Sequence, residues 1–495
     1  MKFQFSIPTI FNCATLLVIS IALLTACSDD FLDNPPQGFL TDSQFPESAE
    51  DAQRAVNAMY SDLRVWQLYY GGYPIVDIMS DDAHKGSNPG DGANMTLFEN
   101  YTFGANIGDL ASWYAATYEA IKSAHVVIDQ VPAIQMDEAT KTRHIAQARF
   151  LRALHYFQLV RSFGDLPKVT ALNPDANLAR SPKSEIYNEI IIPDLIFARD
   201  KLPAKNEWPG ADLGRATKHA AQALLAKAYL YTNQNQLAAD EAMGVIGSGL
   251  YDLEPDFSNA FLPIGQFGIE SLFEVGALPF GAGATGGNQF ANTQSVRGSP
   301  NRGWGFSRPT LDLINSFEEN DPRMEATVIF LGEVIDDVLI EGDGNTPDEI
   351  LDANGNVVQI ETYNQKVWVP GTTTEEPFGY NVKELRYAEV LLIAAEALNE
   401  VGSSGMALME LNKIRTRAGL DDITEMDQSA LRAIILNERR HEMALEQERY
   451  FDLVRTGNAP EVLGPLGFVE GKHENFPMPS SELLLNSSLT QNSGW

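Results

Sequence analysis

Between Ser48 and Leu68 the apolar positions Ala52, Ala55, Val56, Met59, Tyr60 and Leu63 recur at intervals of three and four, which predicts a helix with one buried face. The same period runs from Leu110 to Val131 through Trp113, Ala116, Tyr118, Ala120, Ile121 and Ala124. It runs again from Asp137 to Phe163 through Ile145, Ala148, Leu151, Leu154 and Phe157, with Gly164 as its natural stop. Ser184 to Lys201 and Lys218 to Asn233 form a further pair, the second rich enough in alanine for a neighbour to approach closely. Helices paired in this way predict tetratricopeptide-like hairpins, each burying its face against the next, although no clean tetratricopeptide consensus is present. From about Ile246 to Pro370 the pattern changes. Gly and Pro become frequent, and apolar runs shorten to strand or loop length, as in Val334 to Ile340 and Val357 to Ile360. Helical period resumes in Leu385 to Glu400, Gly405 to Ala418 and Ser429 to Arg455. The predicted fold is mainly α: a tetratricopeptide-like helical repeat scaffold with a loop-rich insertion over about 246–370, whose loops and short strands form the binding face.

The N-terminus follows a different pattern. Lys2 is followed by an apolar run from Leu16 to Leu24 and then Thr25-Ala26-Cys27, a signal peptide ending in a lipobox. The run is too short for a stable membrane span. Residues 1–26 are therefore expected to be removed as a lipoprotein signal peptide, and Cys27 to carry acyl chains of the palmitate type. Residues 27–47 would form a tether opening on Ser28-Asp29-Asp30, and 48–495 a single domain. Cys13 lies in the removed segment, so the mature chain would have no internal disulfide and would depend on core packing. With 44% apolar residues, the 495-residue chain can bury a large core. Its 67 acidic and 35 basic residues, a formal net charge of −32, rule against nucleic acid or anionic lipid as a partner.

Four segments carry a resemblance. The first is Arg149-Phe150-Leu151-Arg152-Ala153-Leu154-His155-Tyr156-Phe157-Gln158-Leu159, closing with Phe163-Gly164-Asp165-Leu166-Pro167. The second runs from Leu385-Arg386-Tyr387-Ala388-Glu389 to Leu411-Asn412-Lys413-Ile414-Arg415-Thr416-Arg417-Ala418-Gly419. The third is Asn437-Glu438-Arg439-Arg440-His441-Glu442, continuing to Glu448-Arg449-Tyr450-Phe451-Asp452-Leu453. The fourth is the C-terminal Gln491-Asn492-Ser493-Gly494-Trp495. Together with the lipobox, these resemble the SusD/RagB family of outer-membrane nutrient-binding lipoproteins over essentially the whole chain. The resemblance implies a lipid-anchored, cell-surface protein of the outer membrane that captures an oligosaccharide or polysaccharide. It further implies delivery to a partner TonB-dependent, SusC-like transporter by binding and hinge-like lid closure, with no covalent chemistry. Peptide or other nutrient binding by the same fold stays open, as do a glycoside hydrolase and a repeat-based protein adaptor. Read by themselves, the arginines and glutamates of these motifs predict ion pairs tying helix to helix or helix to loop, so the motifs supply fold and role but no site residues.

Catalytic and metal patterns fail on spacing. His441-Glu442 opens a zinc-protease motif, but Leu445 stands where the second imidazole is needed. Gly281 to Gly286 matches the dinucleotide glycine pattern without opening a helix, and no GxSxG elbow exists. Asp81-Asp82 and Glu318-Glu319 are the candidate carboxylate pairs for glycoside hydrolysis, chosen by composition alone. Asp343, Asn345, Asp348, Asp352, Asn354 and Asn356 offer oxygen donors for calcium, but at spacings that fit Asn-Gly and Asp-Gly turns better than an EF-hand. No catalytic or metal residue is assigned, and calcium is the one cofactor left open.

Sugar rings present apolar C–H faces with polar rims, so a glycan platform needs exposed aromatics beside amide, carboxylate or guanidinium groups. Trp66, Tyr69, Tyr70 and Tyr73 cluster where the first helical pattern ends, and Arg302 and Trp304 lie in a glycine-rich loop. Asp81, Asp82, His84, Lys85 and Asn88 form a nearby polar loop able to bond hydroxyls. Trp66, Tyr69, Tyr70, Tyr73, Asp81, Lys85, Arg302 and Trp304 are the candidate glycan-binding residues.

Overall fold

The computed structural model describes residues 45–278, 287–371 and 379–495. Cys27, the expected signal peptide and residues 281–286 lie outside the described residues. The longer helices are α1 (Ala49–Asp62), α2 (Gly108–His125), α3 (Glu138–Phe163), α4 (Ile192–Lys201), α5 (Lys218–Tyr231), α6 (Asn235–Ile246), α7 (Tyr387–Glu400), α8 (Ser404–Arg417), α9 (Gln428–Met443) and α10 (Arg449–Thr456). Side-chain caps satisfy the free N–H groups at several helix starts: Ser48 and Asp51 form a reciprocal box on α1, and Asp137, Thr217 and Asp427 cap α3, α5 and α9.

From α2 to α8 each helix packs on the next in sequence, the arrangement of a helical repeat. The contact between α6 and α7 spans the whole insertion, so the chain leaves the scaffold after α6 and returns in step at α7. Fully buried alanines allow the close approach, including Ala220, Ala221 and Ala226 on α5, Ala238 and Ala242 on α6, and Ala394, Ala395 and Ala397 on α7. At its base the insertion closes through an antiparallel ribbon in which Ser271–Val275 pairs with Val382–Arg386. Residues 382–386 thus form a strand, and the helix expected from Leu385 begins at Tyr387.

Two other boundaries differ from the sequence expectation. The first helix ends at Asp62, and a separate turn of 3₁₀ helix covers Trp66–Leu68. The helix expected over 429–455 is two, α9 and α10, because Leu445 and Gln447 take positive φ between them.

The conserved-looking motifs of the sequence are structural. Glu442 accepts from Arg386 and Arg417 at 2.6 Å each and from Arg323 at 3.2 Å, all four side chains buried. Arg439 bonds Glu389 at 2.8 Å and Asp452 at 2.7 Å, and Glu448 takes Arg161 and Lys227 at 2.9 Å each. This network joins α3, α5, α7, α9 and α10 to the insertion. At the C-terminus, Asn492 Nδ2 donates to the Phe163 carbonyl at 2.8 Å, and the Trp495 indole N–H donates to the Asn475 carbonyl at 3.0 Å, sealing the end of α3. Gly164 follows α3 with φ +73°, and a Cβ there would lie 2.6 Å from Asn475 Oδ1.

Candidate functional site

A second antiparallel ribbon builds the site. Ala83–Gly86, from the N-terminal segment, pairs with Phe306–Pro309, from the insertion, with Gly86 opposite Phe306. This pairing carries the glycine-rich loop around Trp304 onto the turn that follows α1. Three candidate aromatics, separated by up to 238 positions between Trp66 and Trp304 (304 − 66), meet there. Ring centroids lie 5.4 Å apart for Trp66 and Tyr73, 5.9 Å for Trp66 and Trp304, and 6.2 Å for Tyr73 and Trp304. Phe306, buried, backs Tyr73 edge-on at 5.1 Å. Trp66, Tyr73 and Trp304 are each partly buried, and they pack against one another.

Local chemistry holds these rings. The Trp66 indole N–H donates to the Gly72 carbonyl, and Gly72 has φ +96° with no room for a side chain beside the indole. The Trp304 backbone N–H donates to the Asn292 carbonyl at 2.8 Å. Gly303 packs so closely on the same carbonyl that a Cβ would stand 2.4 Å from it. Side-chain motion that a bound sugar would otherwise have to freeze is already restricted, which lowers the entropic cost of stacking.

The other candidates are placed differently: Tyr69, Tyr70, Lys85 and Arg302 are buried, and Asp81 is held in ion pairs. Tyr69 and Tyr70 are in the core: Tyr70 packs on Trp113 at 4.9 Å and takes a bond from Arg161, and Tyr69 packs on Phe290 at 5.5 Å and donates to the Leu63 carbonyl. Their burial comes from residues far along the chain. Arg302 is buried with its guanidinium 3.7 Å over the Trp368 ring and one N–H donated to the Val369 carbonyl. Lys85 is buried beside Phe306 and donates to the Asn88 carbonyl at 2.8 Å, and burial lowers its pKa. Asp81 is clasped by Arg449 at 2.8 Å and Arg440 at 3.0 Å. Burial would raise its pKa, but the Arg449 hydrogen bonds and the two positive charges hold it below the usual value.

Strand alternation explains this division of the polar loop. Lys85 turns toward Phe306, whereas His84, with Asp81, lines a separate cleft of about 530 Å³ together with Glu99, Thr310 and Leu466. There His84 Nδ1 lies 3.3 Å from Glu99 Oε1. Asp82 is fully buried and bonded to Arg440 at 2.7 Å.

Sequence reasoning missed the residues that border the platform from the loop before α2. Gly92 lies against the Phe306 ring, its neighbour Asp91 pairs with Arg297, and Asn94 donates to Asp109 at 2.9 Å. Burial raises the Tyr73 hydroxyl pKa, and the charges of Asp109 and Asp91 add to the rise. No periodic signal marks these positions, since their closeness depends on the pairing of Ala83–Gly86 with Phe306–Pro309.

The remaining chemistry is structural. The side chains of Asp343 and Asp352 accept from the backbone N–H groups of Asn345 and Thr346 and of Asn354 and Asn356, as turn-forming carboxylates do. Among the described residues no group of three or more His, Cys, Asp or Glu side chains is placed to hold a metal ion. His441 stacks on Phe317 at 4.6 Å, and burial pushes its pKa down to about 4.

Two family models match the chain, in its C-terminal and N-terminal parts. The model described as "SusD family" matches residues 269–495, and one described as "Starch-binding associating with outer membrane" matches residues 37–230. SusD-like protein P2 of Formosa agariphila is 30% identical, covering 96% of this chain and 98% of that protein. The starch-binding protein SusD of Bacteroides thetaiotaomicron is 26% identical, covering 73% of this chain and 74% of its own. Among solved structures, a laminarin-binding SusD-like protein superposes with a TM-score of 0.76 at 28% identity, covering 91% of this chain and all of that one.

Proposed function

Since the chain belongs to the SusD family, we propose that it is a cell-surface lipoprotein that captures an oligosaccharide or polysaccharide and passes it to a SusC-like, TonB-dependent transporter in the outer membrane. The partly exposed cluster of Trp66, Tyr73 and Trp304 carries this reading, because aromatic rings reachable from solvent can stack on the apolar face of a sugar. Likeness to a laminarin-binding relative supports a glucan as the first ligand to try. Residues 48–495 act as one unit, with Cys27 as the lipid attachment point after removal of residues 1–26.

Capture without bond cleavage is supported by the carboxylate pairs. Retaining and inverting hydrolysis both need two carboxyl groups facing one substrate. Asp81 and Asp82 are bound to Arg440 and Arg449, and Glu318 is bound to Arg415 at 2.6 Å.

The test uses the chain from Ser28 onward, which retains every described element, run through native gels containing laminarin, starch or other polysaccharides, with released sugar assayed in parallel. Retardation by at least one glycan without sugar release, weakened in Trp304→Ala, is the expected result. Sugar release would replace capture with hydrolysis, and free migration through every glycan would sink the reading. Anchoring is tested separately: Cys27→Ser should move the protein from the membrane fraction to the medium or periplasm.

A further inference from the structure

The charged groups around the platform carry a statement about which glycans it accepts, and this inference rests on the glycan-capture reading. An anionic sugar, bearing a carboxylate or sulfate, needs an available cation to offset the loss of its hydration. The basic side chains of the two paired strands and of the glycine-rich loop, Lys85, Arg308, Arg297 and Arg302, are all committed. Lys85 is buried and bonded to the Asn88 carbonyl, and Arg302 is buried on Trp368 and bonded to Val369. Arg297 lies between two carboxylates, 2.5 Å from Asp91 and 3.5 Å from Asp343. Arg308 is fully buried, 3.8 Å from Asp343 and 3.6 Å from Glu361.

The segments outside the described residues cannot supply the missing charge. Residues 279–286 and 372–378 contain no Lys or Arg, and residues 1–44 contain only Lys2. Acidic groups, in contrast, do face the platform. Asp91 is 43% exposed in its side chain, next to Gly92 on the Phe306 ring, and Asp109, in the first turn of α2, accepts from Asn94 of the short helix Ala93–Glu99. Both act electrostatically on the Tyr73 hydroxyl. The whole chain adds a net charge of −32 as a long-range field of the same sign.

We propose that the platform accepts uncharged glycans and rejects those bearing carboxylate or sulfate groups, with Asp91 and Asp109 as the discriminating residues. Asp91 acts twice, by adding a negative charge and by occupying Arg297, the guanidinium that an anionic sugar would otherwise engage.

The experiment compares laminarin with sulfated laminarin of matched length, titrated into the chain from Ser28 onward at low and high salt. Sulfated laminarin should bind at least about tenfold more weakly at low ionic strength, and the gap should shrink at about 1 M salt, where the Debye length falls to about 3 Å. Asp91→Asn should raise the ratio of sulfated to unsulfated affinity by unmasking Arg297, and Asp109→Asn should raise it less. Equal or tighter binding of the sulfated form, with laminarin also bound, overturns the selectivity and leaves glycan capture standing. Binding of neither form overturns both.

Discussion

Gly72 shows how a single position determines whether the platform exists. With φ +96°, a Cβ at this residue would lie 2.6 Å from Trp66 Cε2, so Gly72→Ala must both strain the backbone and displace the indole. The expected outcome is a loss of glycan affinity close to that of Trp66→Ala, measured by calorimetry, with the helical circular dichroism retained. Glu384 offers a second test at this scale. Burial pushes its pKa up to about 7, and Gln158 donates to its carboxylate at 3.5 Å. A carboxyl raised in this way favours the folded state below its unfolded pKa, and that contribution is lost as pH rises through about 7. Glu384→Gln should therefore be more stable than the parent at pH 8, by about 1–3 kcal/mol in denaturant titrations, and the difference should vanish as pH falls below about 4. At the level of residues the sequence was only partly readable. Trp304 was recognisable because its glycine neighbours argued against a regular element, whereas Tyr70 looked similar and is buried by Trp113 and Arg161, which only the fold brings to it.

Helices α2, α3 and α5 follow the apolar period closely, and α4 is preceded by helical turns that run from Lys183, because each buries one face against the next helix in the chain. Where prediction failed, the cause was a contact distant in sequence or a local backbone turn. Residues 382–386 lie in the strand that closes the insertion, and α9 separates from α10 at two left-handed residues, Leu445 and Gln447. Helix α6 escaped notice because its core face is short and alanine-based, with Ala238, Ala239, Ala242 and Val245 buried. The small residues are nevertheless what lets α7 return against α6. Ala395, fully buried on α7, has no space for a larger side chain, so Ala395→Leu should destabilise by about 1–3 kcal/mol in urea unfolding, without change in glycan affinity per folded molecule. Glu448→Gln should cost more, about 3–5 kcal/mol, because Arg161 would remain buried without its counter-charge and Lys227 would keep only Glu389.

Taken as a whole, the molecule separates two uses of charge. Several of its basic residues are buried in ion pairs that join the helical scaffold to the insertion, and the chain as a whole carries a net charge of −32. Binding then rests on aromatic faces and uncharged polar groups, and it should be nearly independent of salt for a neutral glucan, a result that gel retardation at two ionic strengths would check. The scaffold contributes position: the pairing of Ala83–Gly86 with Phe306–Pro309 brings the insertion loop to the N-terminal turn and completes the three-ring platform. The most direct test is calorimetric titration of a laminarin oligosaccharide into the chain from Ser28 onward, side by side with Trp304→Ala. The account predicts saturable binding that Trp304→Ala weakens by about tenfold or more, as loss of a central aromatic contact should. Binding of equal strength in the variant would contradict the assignment of the platform as the glycan site.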